Sequence, residues 1–274
     1  MQNALDKFNL SGRTVLVTGG GGLLGRQFAL ALAQAGADVM LADLAYEAAA
    51  DQAEVIRAEG LSAAALAVDV VDPDSTREMV QQTLARFGRL DVLINSAALD
   101  PKFDPQHQSE QAANAFETYA LEAWRKALDV NLTGMFLASQ AAVQPMLAQG
   151  QGVIINICST YGLNGPDQRI YSRPDGTQSY KPVYYSVTKA GVLGFTRYLA
   201  AYYAGKNIRV NALTPGGVYN QHDEAFTQAY SAKTILGRMA NIDEMSAAML
   251  FLASDASSYM TGANLIVDGG WTAW

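Results

Sequence analysis

A tyrosine and a lysine four residues apart, Tyr185 and Lys189, are the residues of this chain best suited to acid–base chemistry. The apolar residues that follow them recur with helical spacing, which predicts a helix that begins near Tyr185. Positions four apart share one face of a helix. A free phenol has a pKa of about 10, and a nearby ammonium favours the phenolate and lowers that value. We therefore expect Tyr185 to exchange a proton with an alcohol or a ketone near neutral pH. The adjacent Tyr184 is the weaker candidate, because Thr188 follows it at the same spacing and supplies no charge.

Most Tyr and Lys pairs at this spacing are ordinary surface or core residues, so the prediction depends on what accompanies them. A glycine-rich turn near the N-terminus joins a predicted strand over 13–18 to a predicted helix over 26–35, with the sequence Gly19-Gly20-Gly21-Gly22-Leu23-Leu24-Gly25 between them. Glycines let a backbone approach a pyrophosphate closely, and the free N–H groups of a helix N-terminus attract its charge. The turn therefore indicates a dinucleotide site, the alternative being glycines that serve a tight turn alone.

Asp43 stands at the end of the second predicted strand. An acidic residue in this place accepts hydrogen bonds from the ribose hydroxyls and repels a 2′-phosphate. The sequence therefore predicts NAD rather than NADP as the cofactor. The alternative is that Asp43 caps the helix that follows.

Apolar runs of strand length alternate with helical stretches, the last of them over 243–253. This alternation is typical of a parallel sheet covered on both faces. The predicted strands lie at 13–18, 38–43, 63–68, 91–94, 152–158, 208–213 and 264–268. We predict an α/β fold with a single doubly wound, Rossmann-like domain over 1–274, built on a seven-stranded parallel sheet with helices on both faces. Irregular stretches at 99–119, 164–182 and 218–240 each follow the carboxyl end of a strand, so we expect these substrate-loop insertions to gather over one cleft.

Composition excludes several classes of function. The 274 residues carry 19 Lys plus Arg against 26 Asp plus Glu, a formal net charge of -7, without a basic tract, so we expect no nucleic-acid partner. No stretch approaches ~20 apolar residues and the N-terminus lacks the apolar core of a signal peptide, so we expect no membrane partner and a cytoplasmic protein. Cys158 is the one cysteine and is expected to be a buried strand residue. His107 and His222 alone cannot make a zinc site, and no metal is predicted.

A series of short motifs resembles, in order and spacing, the one-domain short-chain dehydrogenase/reductases. The motifs are Thr18-Gly19…Gly25, Asp69-Val70, Asn95-Ser96-Ala97-Ala98, Asn131, Ser159, Tyr185-x-x-x-Lys189, Pro215-Gly216 and Val267-Asp268-Gly269-Gly270. The resemblance covers nearly the whole chain. It implies an NAD-dependent oxidoreductase that interconverts a secondary alcohol and a ketone by hydride transfer. It also implies a homo-oligomer, commonly a tetramer, with the Tyr185 helix and the long helix before it packed between subunits.

The resemblance also implies a catalytic tetrad. Tyr185 would be the acid or base, and Ser159 would hydrogen-bond the reacting oxygen. Lys189 would lower the pKa of the phenol and bind the nicotinamide ribose, while Asn131 would connect Lys189 to solvent through a water. The cofactor-binding residues that the resemblance implies are Gly19, Gly22, Leu23, Leu24, Gly25, Asp43, Asp69, Val70, Asn95, Ala97, Tyr185, Lys189, Pro215, Gly216 and Val218.

Two departures from the family pattern stand in the cofactor region. Leu23 occupies a position where one-domain members usually have glycine, and the resulting spacing is that of longer members that modify nucleotide sugars. Ser96 and Ala98 replace an asparagine and a glycine. A nucleotide-sugar-modifying enzyme of a surface-polysaccharide pathway is therefore an alternative, which the lack of a C-terminal substrate domain disfavours. A non-catalytic dinucleotide-sensing protein is another, although such a protein need not retain the tyrosine, lysine and serine together.

The stretch 164–182 suggests the substrate class. Its residues are mainly hydrogen-bonding: Asp167, Gln168, Arg169, Tyr171, Arg173, Asp175 and Lys181. We therefore predict a polar, sugar-like or polyol substrate, or a sugar acid, rather than a steroid or an acyl chain. The alternative is a solvated surface insertion or a subunit contact, and His222, in the third stretch, is either a substrate contact or a surface residue.

Overall fold

A parallel sheet forms the centre of the protein. The computed structural model describes residues 3–100, 114–172, 176 and 178–274. Within that part of the chain the sheet has seven strands in the order β3-β2-β1-β4-β5-β6-β7, all parallel. They are β1 Thr14–Thr18, β2 Asp38–Asp43, β3 Ala63–Ala67, β4 Val92–Asn95, β5 Gly152–Ile157, β6 Ile208–Pro215 and β7 Asn264–Val267. This sheet confirms the predicted fold class, and its strand order reverses between β1 and β4, where open α/β sheets bind their ligands.

Helices cover both faces of the sheet. They are α1 Leu23–Gln34, α2 Tyr46–Ala58, α3 Pro73–Phe87, α4 Leu121–Leu128, α5 Gly134–Gln149, α6 Val183–Tyr202, α7 Glu224–Ser231 and α8 Ser246–Ala253, with a π-helical turn, Asp129–Thr133, between α4 and α5. Local sequence explains their limits. At α3, for example, Asp72 accepts a hydrogen bond from the Asp74 N–H (2.8 Å) and Pro73 starts the helix.

Alternate residues of each central strand face opposite layers of helices. Val15 and Val17 of β1 pack in one cluster with Phe28 of α1 and Met249 of α8. Leu16, between the two valines, packs in a second cluster with helices on the other face. All five side chains are fully buried, or nearly so, which explains why the strands read as continuous apolar runs.

The stretch 218–240, predicted to be irregular, contains a helix. Asp223 caps α7 by accepting a hydrogen bond from the Phe226 N–H (2.8 Å). Phe226 and Tyr230 lie four positions apart on one face of α7 and pack against other aromatic rings. A two-residue apolar face within a polar segment is too short to show periodicity, and the prediction was wrong there.

Other boundaries differ from the prediction by a few residues. α6 starts at Val183, directly after Pro182, rather than near Tyr185. The last predicted helix, 243–253, begins as a 3-10 turn over Ile242–Met245 before α8 continues. Predictions that concern 101–113, with His107, and Arg173 and Asp175 lie outside the described residues. Among the residues that the structure does describe, no helix combines the length and apolar character needed to cross a bilayer.

Candidate active site

Ser159, Tyr185 and Lys189 meet at the carboxyl end of β5. Ser159 lies two residues after the end of that strand, whereas Tyr185 and Lys189 lie one turn apart on α6. Tyr185 and Ser159 share a side-chain hydrogen bond, and Lys189 Nζ lies 5.7 Å from the centre of the Tyr185 ring. All three side chains are buried. The structure thus brings together the phenol, the hydroxyl and the ammonium that the sequence indicates.

A glycine allows α6 to lie this close to the turn after β5. A Cβ atom on Gly162 would stand 2.7 Å from Cys158 Sγ and from the Lys189 carbonyl group, so no larger residue fits. Cys158 is buried, as predicted, and its thiol donates to the Lys189 carbonyl oxygen (3.2 Å). Lys189 Nζ donates to the Ile157 carbonyl oxygen (2.9 Å), and burial lowers the pKa of its ammonium.

Asn131 lies in the π-helical turn between α4 and α5, a type of distortion that is frequent at functional sites. Its amide oxygen accepts from the Leu99 N–H (2.7 Å). Its amide nitrogen donates to the Leu99 carbonyl oxygen (3.2 Å) and to the Thr188 hydroxyl (3.1 Å). Asn131 therefore ties the loop after β4 to α6 one residue before Lys189. Its relay through a water stays a prediction.

The protonation of Tyr185 differs from the expectation drawn from Lys189. Burial raises the pKa of Tyr185 well above its usual value, the negative charge of Asp100 raises it further, and the hydrogen bond with Ser159 lowers it. Burial dominates because it removes the water that would stabilise a phenolate, while the Lys189 ammonium is directed towards a backbone carbonyl. Burial therefore favours the neutral, proton-donating form of the phenol.

A second lysine lies closer to the phenol than Lys189 does. Lys181 Nζ stands 3.8 Å from the centre of the Tyr185 ring and forms an ion pair with Asp100 Oδ1 at 2.5 Å. The sequence groups Lys181 with general hydrogen-bonding residues and misses this contact. The available signal was its spacing, four positions before Tyr185, with Pro182 fixing the start of the helix between them.

Five aromatic side chains surround the substrate side of Tyr185, and we call them the aromatic wall: Tyr161, Tyr171, Phe226, Tyr230 and Trp271. Tyr161 meets Tyr185 edge to face with 6.4 Å between ring centres, and Trp271 stacks on Tyr230 at 4.2 Å. The Tyr171 and Tyr161 hydroxyls share a hydrogen bond (2.8 Å). Rings from 164–182 and 218–240 thus meet, because Tyr171 packs against Phe226.

The polar residues of 164–182 are used largely within the protein. Asp167 pairs with Arg169 and with Lys233, and these bonds hold the pKa of its carboxyl well below the usual range. Gln168 exchanges two hydrogen bonds with the backbone of Lys181. The hydrogen-bonding composition of this stretch therefore reflects its own folding, and the surface presented to a substrate is mainly aromatic.

The glycine turn fits a dinucleotide. Gly19 has a positive φ of 67°, and a Cβ atom there would stand 2.8 Å from the Ala97 backbone. On Gly25 a Cβ would stand 2.1 Å from the Gly19 carbonyl oxygen, so the turn requires glycine at both positions. Gly22 caps α1, Leu23 is 37% exposed beside it, and the Leu24 side chain packs into the core. The turn therefore brings bare backbone N–H groups close to the N-terminus of α1, where a pyrophosphate would approach, with the Arg26 side chain donating to the Gly21 carbonyl oxygen (2.6 Å).

Asp43 lies beside this turn. Its carboxylate accepts from the Gly21 N–H and from the Ala45 N–H, both at 3.0 Å. Ala45, not Asp43, occupies the cap position of α2, which removes the helix-cap alternative. The carboxylate therefore lies next to the predicted pyrophosphate turn, as binding of an adenosine ribose requires.

The other predicted cofactor-binding residues differ in which of their atoms could contact a dinucleotide. Asp69 is exposed and Val70 is buried against Gly134. The Asn95 amide donates to Ser139 and Asn156 within the interior, so the Asn95 backbone alone is available to a ribose.

At the far end of the predicted cofactor site, Pro215 ends β6, and Gly216 and Val218 follow it. Between them, the Gly217 N–H donates to the Tyr230 hydroxyl (2.5 Å), and burial raises the pKa of Tyr230 to about 12. These contacts fix the loop after β6 against the aromatic wall.

Comparisons with known proteins agree with this geometry. A family model described as enoyl-(acyl carrier protein) reductase matches residues 22–272. A cis-4-hydroxycyclohexanecarboxylate dehydrogenase of Sinomonas cyclohexanicum is 36% identical over 95% of this chain and 97% of its own. A D-threitol dehydrogenase of Mycolicibacterium smegmatis is 34% identical over 97% and 95%. The crystal structure of a gluconate 5-dehydrogenase of Burkholderia cenocepacia, in complex with NADP and tartrate, superposes with a TM-score of 0.85 at 32% identity, covering 99% of this chain and 100% of that one.

The family model spans strands β2 to β7 and the segment that carries Tyr185 and Lys189. Dehydrogenases that act on CH–OH groups are thus found among both the sequence relatives and the solved structures. The chain belongs to the short-chain dehydrogenase/reductase family of oxidoreductases.

Proposed function

We propose that this protein is an NAD-dependent oxidoreductase that interconverts a secondary alcohol and a ketone, with Tyr185 as the acid or base. The observation that carries the proposal is the meeting of Tyr185, Ser159 and Lys189 at the carboxyl end of β5. When bound, a nicotinamide supplies or accepts the hydride. During reduction Tyr185 donates a proton to the carbonyl oxygen, and during oxidation it removes one from the hydroxyl.

Ser159 and Lys189 support that proton transfer. The Ser159 hydroxyl is already hydrogen-bonded to Tyr185, so it is placed to bind the same reacting oxygen. The Lys189 ammonium lies behind the phenol ring and favours the ionised form once oxidation begins. Asn131 would extend the path for protons from Lys189 to solvent.

The choice of NAD over NADP rests on Asp43. Its carboxylate lies beside the glycine turn, where it would accept from ribose hydroxyls and repel a 2′-phosphate. The gluconate 5-dehydrogenase complex contains NADP, so cofactor choice varies among proteins of this fold. The proposal that this chain prefers NAD therefore depends on the presence of Asp43.

We further propose a compact, sugar-like or polyol substrate. The D-threitol and gluconate relatives act on polyhydroxylated molecules, and the hydroxycyclohexanecarboxylate relative acts on a ring that bears a hydroxyl. The aromatic wall favours a molecule with one apolar C–H face, such as a sugar or cyclohexane ring, which packs on Tyr161 and Trp271. Long acyl chains lack such a compact face.

The test combines a cofactor titration with a substrate panel. Fluorescence titration should show tighter binding of NADH than of NADPH. With NAD, cis-4-hydroxycyclohexanecarboxylate, D-threitol and gluconate should be oxidised faster than a long-chain secondary alcohol. NADH binding without oxidation of any panel member would contradict the enzyme proposal, and preference for the long-chain alcohol would contradict the substrate class.

The direction of the pH dependence follows from the acid–base role. Oxidation needs the ionised phenol, so its rate should rise with pH. Because burial raises the pKa of Tyr185, the rising limb should lie on the alkaline side of neutrality. Reduction needs the neutral phenol and should slow over the same range. A flat oxidation profile, under conditions where hydride transfer limits the rate, would contradict the role of Tyr185.

We also propose that the chain acts as one domain in a homotetramer. Large apolar side chains remain exposed on the two helices predicted to pack between subunits, α5 and α6. They are Phe136, Leu147, Val187, Tyr198 and Tyr202. Exposed apolar surface on a protein often marks an association site, and Tyr198 and Tyr202 stack on each other there. The mass in solution, measured by light scattering, should be that of a tetramer, and a monomeric mass would contradict this assembly.

A further inference from the structure

The ion pair of Lys181 and Asp100 lies against the reacting phenol. Lys181 Nζ stands over the face of the Tyr185 ring, 3.8 Å from its centre, whereas Lys189 Nζ is 5.7 Å away. Lys181 is 8% exposed and Asp100 is 54% exposed in its side chain. A lysine is almost never buried to this degree unless it is paired. Of the lysines in the described part of the chain, Lys181 thus stands nearer to the phenol ring than Lys189 does, and it lies outside the predicted tetrad.

The backbone holds Lys181 in this place. Its N–H donates to Gln168 Oε1 (2.9 Å), and its carbonyl oxygen accepts from Gln168 Nε2 (3.0 Å). Pro182 follows and caps α6, so the residue is fixed relative to the helix that carries Tyr185. The two hydrogen bonds with the Gln168 side chain and the fixed φ of Pro182 hold the backbone of Lys181 in place. They thereby limit how far its ammonium group can move.

We propose that Lys181 is a positioning residue that favours the ionised form of Tyr185, and that Asp100 is an opposing residue that favours the neutral form. This inference rests on the proposed function, because it assigns the pair to the acid–base step. A cation over the face of a phenol stabilises negative charge on that ring, and a carboxylate beside it destabilises the same charge. The two members of one ion pair thus act on Tyr185 with opposite signs.

The electrostatic surroundings support opposite effects. The charge of Asp100 raises the pKa of Tyr185 and also that of Lys189, while the charge of Lys181 lowers the pKa of Lys189. Both members of the pair therefore reach the catalytic groups through space. Within residues 3–100, 114–172, 176 and 178–274, the polar and titratable groups that face Tyr185 are Asp100, Cys158, Ser159, Tyr161, Lys181, Tyr184 and Lys189.

The experiment measures the ionisation of Tyr185 directly. The full chain is labelled with ¹³C at the ζ carbon of tyrosine, and the Tyr185 signal is assigned by its loss in Tyr185→Phe. Titration to the pH of unfolding is repeated for Lys181→Met, Asp100→Asn and Lys181→Arg. We expect the ionisation of Tyr185 to shift by about one pH unit upward in Lys181→Met and by about one unit downward in Asp100→Asn. Lys181→Arg keeps the charge and should titrate like the wild type.

The opposite directions of the two shifts in Tyr185 ionisation distinguish this electrostatic role from a structural one. Both variants break the same ion pair, so a loss of local structure would move Tyr185 in the same direction in each. The proposal is contradicted if Asp100→Asn ionises no earlier than the wild type, or if Lys181→Met ionises no later. The titration needs no substrate, so it is independent of the test of the proposed function. Inactivity towards every alcohol would reject the proposed function, whereas the pH at which Tyr185 ionises in each variant would still decide this inference.

Discussion

The cofactor side and the substrate side of the cleft are built in different ways. On the cofactor side, the turn from Gly19 to Gly25 offers bare backbone, and a Cβ atom at either end would collide with the main chain. On the substrate side, the aromatic wall fills the space around Tyr185 with side chains from three distant segments. The cofactor side requires glycine at single positions, so a short sequence motif reveals it. The substrate side requires side chains from distant segments to pack together, and no short motif indicates that packing.

The largest effect is expected from Tyr185→Phe, which tests whether the substrate side carries chemistry. Removal of the hydroxyl should lower kcat by roughly 10²–10⁴-fold, since no other phenol is placed to transfer the proton. NADH affinity should be unchanged in a fluorescence titration. Tyr184→Phe is the matched control, because the two tyrosines are adjacent and equally buried. Equal loss of activity in both variants would show that the role of Tyr185 is structural.

Gly25→Ala tests the cofactor side. The new Cβ would stand 2.1 Å from the Gly19 carbonyl oxygen, so the turn must open. We expect the Kd for NADH to rise at least about tenfold and the free energy of unfolding to fall by about 1–3 kcal/mol. Gly165→Ala is the control, since nothing lies within 4 Å of a Cβ at that position. If calorimetry and NADH titration find the two variants alike, the turn does not require glycine for the stated reason.

Asp43→Asn should change cofactor preference without changing the fold. Loss of the negative charge removes the repulsion of a 2′-phosphate, and we expect the ratio of NADPH to NADH affinity to rise about tenfold, which equals about 1.4 kcal/mol. Asp38→Asn, at the opposite end of β2, removes the same charge away from the glycine turn and serves as the control. An unchanged ratio in Asp43→Asn would assign cofactor selection to other residues.

The smallest effect is expected from Tyr171→Phe, which tests the internal contacts of the aromatic wall. The substitution removes the hydroxyl that bonds to Tyr161 at 2.8 Å and keeps the ring in place. We expect the free energy of unfolding to fall by about 0.5–1.5 kcal/mol in urea denaturation. The exposed Tyr46→Phe should change it by less than about 0.5 kcal/mol. Equal values in the two variants would mean that this hydroxyl pair adds nothing to the wall.

Sequence alone predicts the sheet because strand burial is a local property. Each central strand is a run of apolar residues, and the glycine turn and Asp43 follow strand ends that are visible in the pattern. Helix boundaries differ from the prediction where a capping residue sets them, as Pro182 does at the start of α6. α7 was missed because its apolar face consists of two rings whose partners lie far away in the chain.

The substrate side shows why a polar composition misleads. Asp167 and Gln168 belong to the hydrogen-bonding set from which the sequence predicts a polar substrate, but the structure uses them to hold Lys233 and Lys181. The high pKa of Tyr185 has the same origin, since its burial depends on rings that the sequence does not place beside it. Partners of polar groups are set by tertiary packing, which spacing along the chain does not reveal.

The crystal structure of the complex with NADH is the most direct test of the central claim, that the phenol, the hydroxyl and the ammonium act beside a bound nicotinamide. The account predicts the pyrophosphate at the turn from Gly19 to Gly25 and the nicotinamide next to Tyr185 and Ser159. A dinucleotide bound elsewhere, or bound with its adenine at Tyr185, would contradict the account.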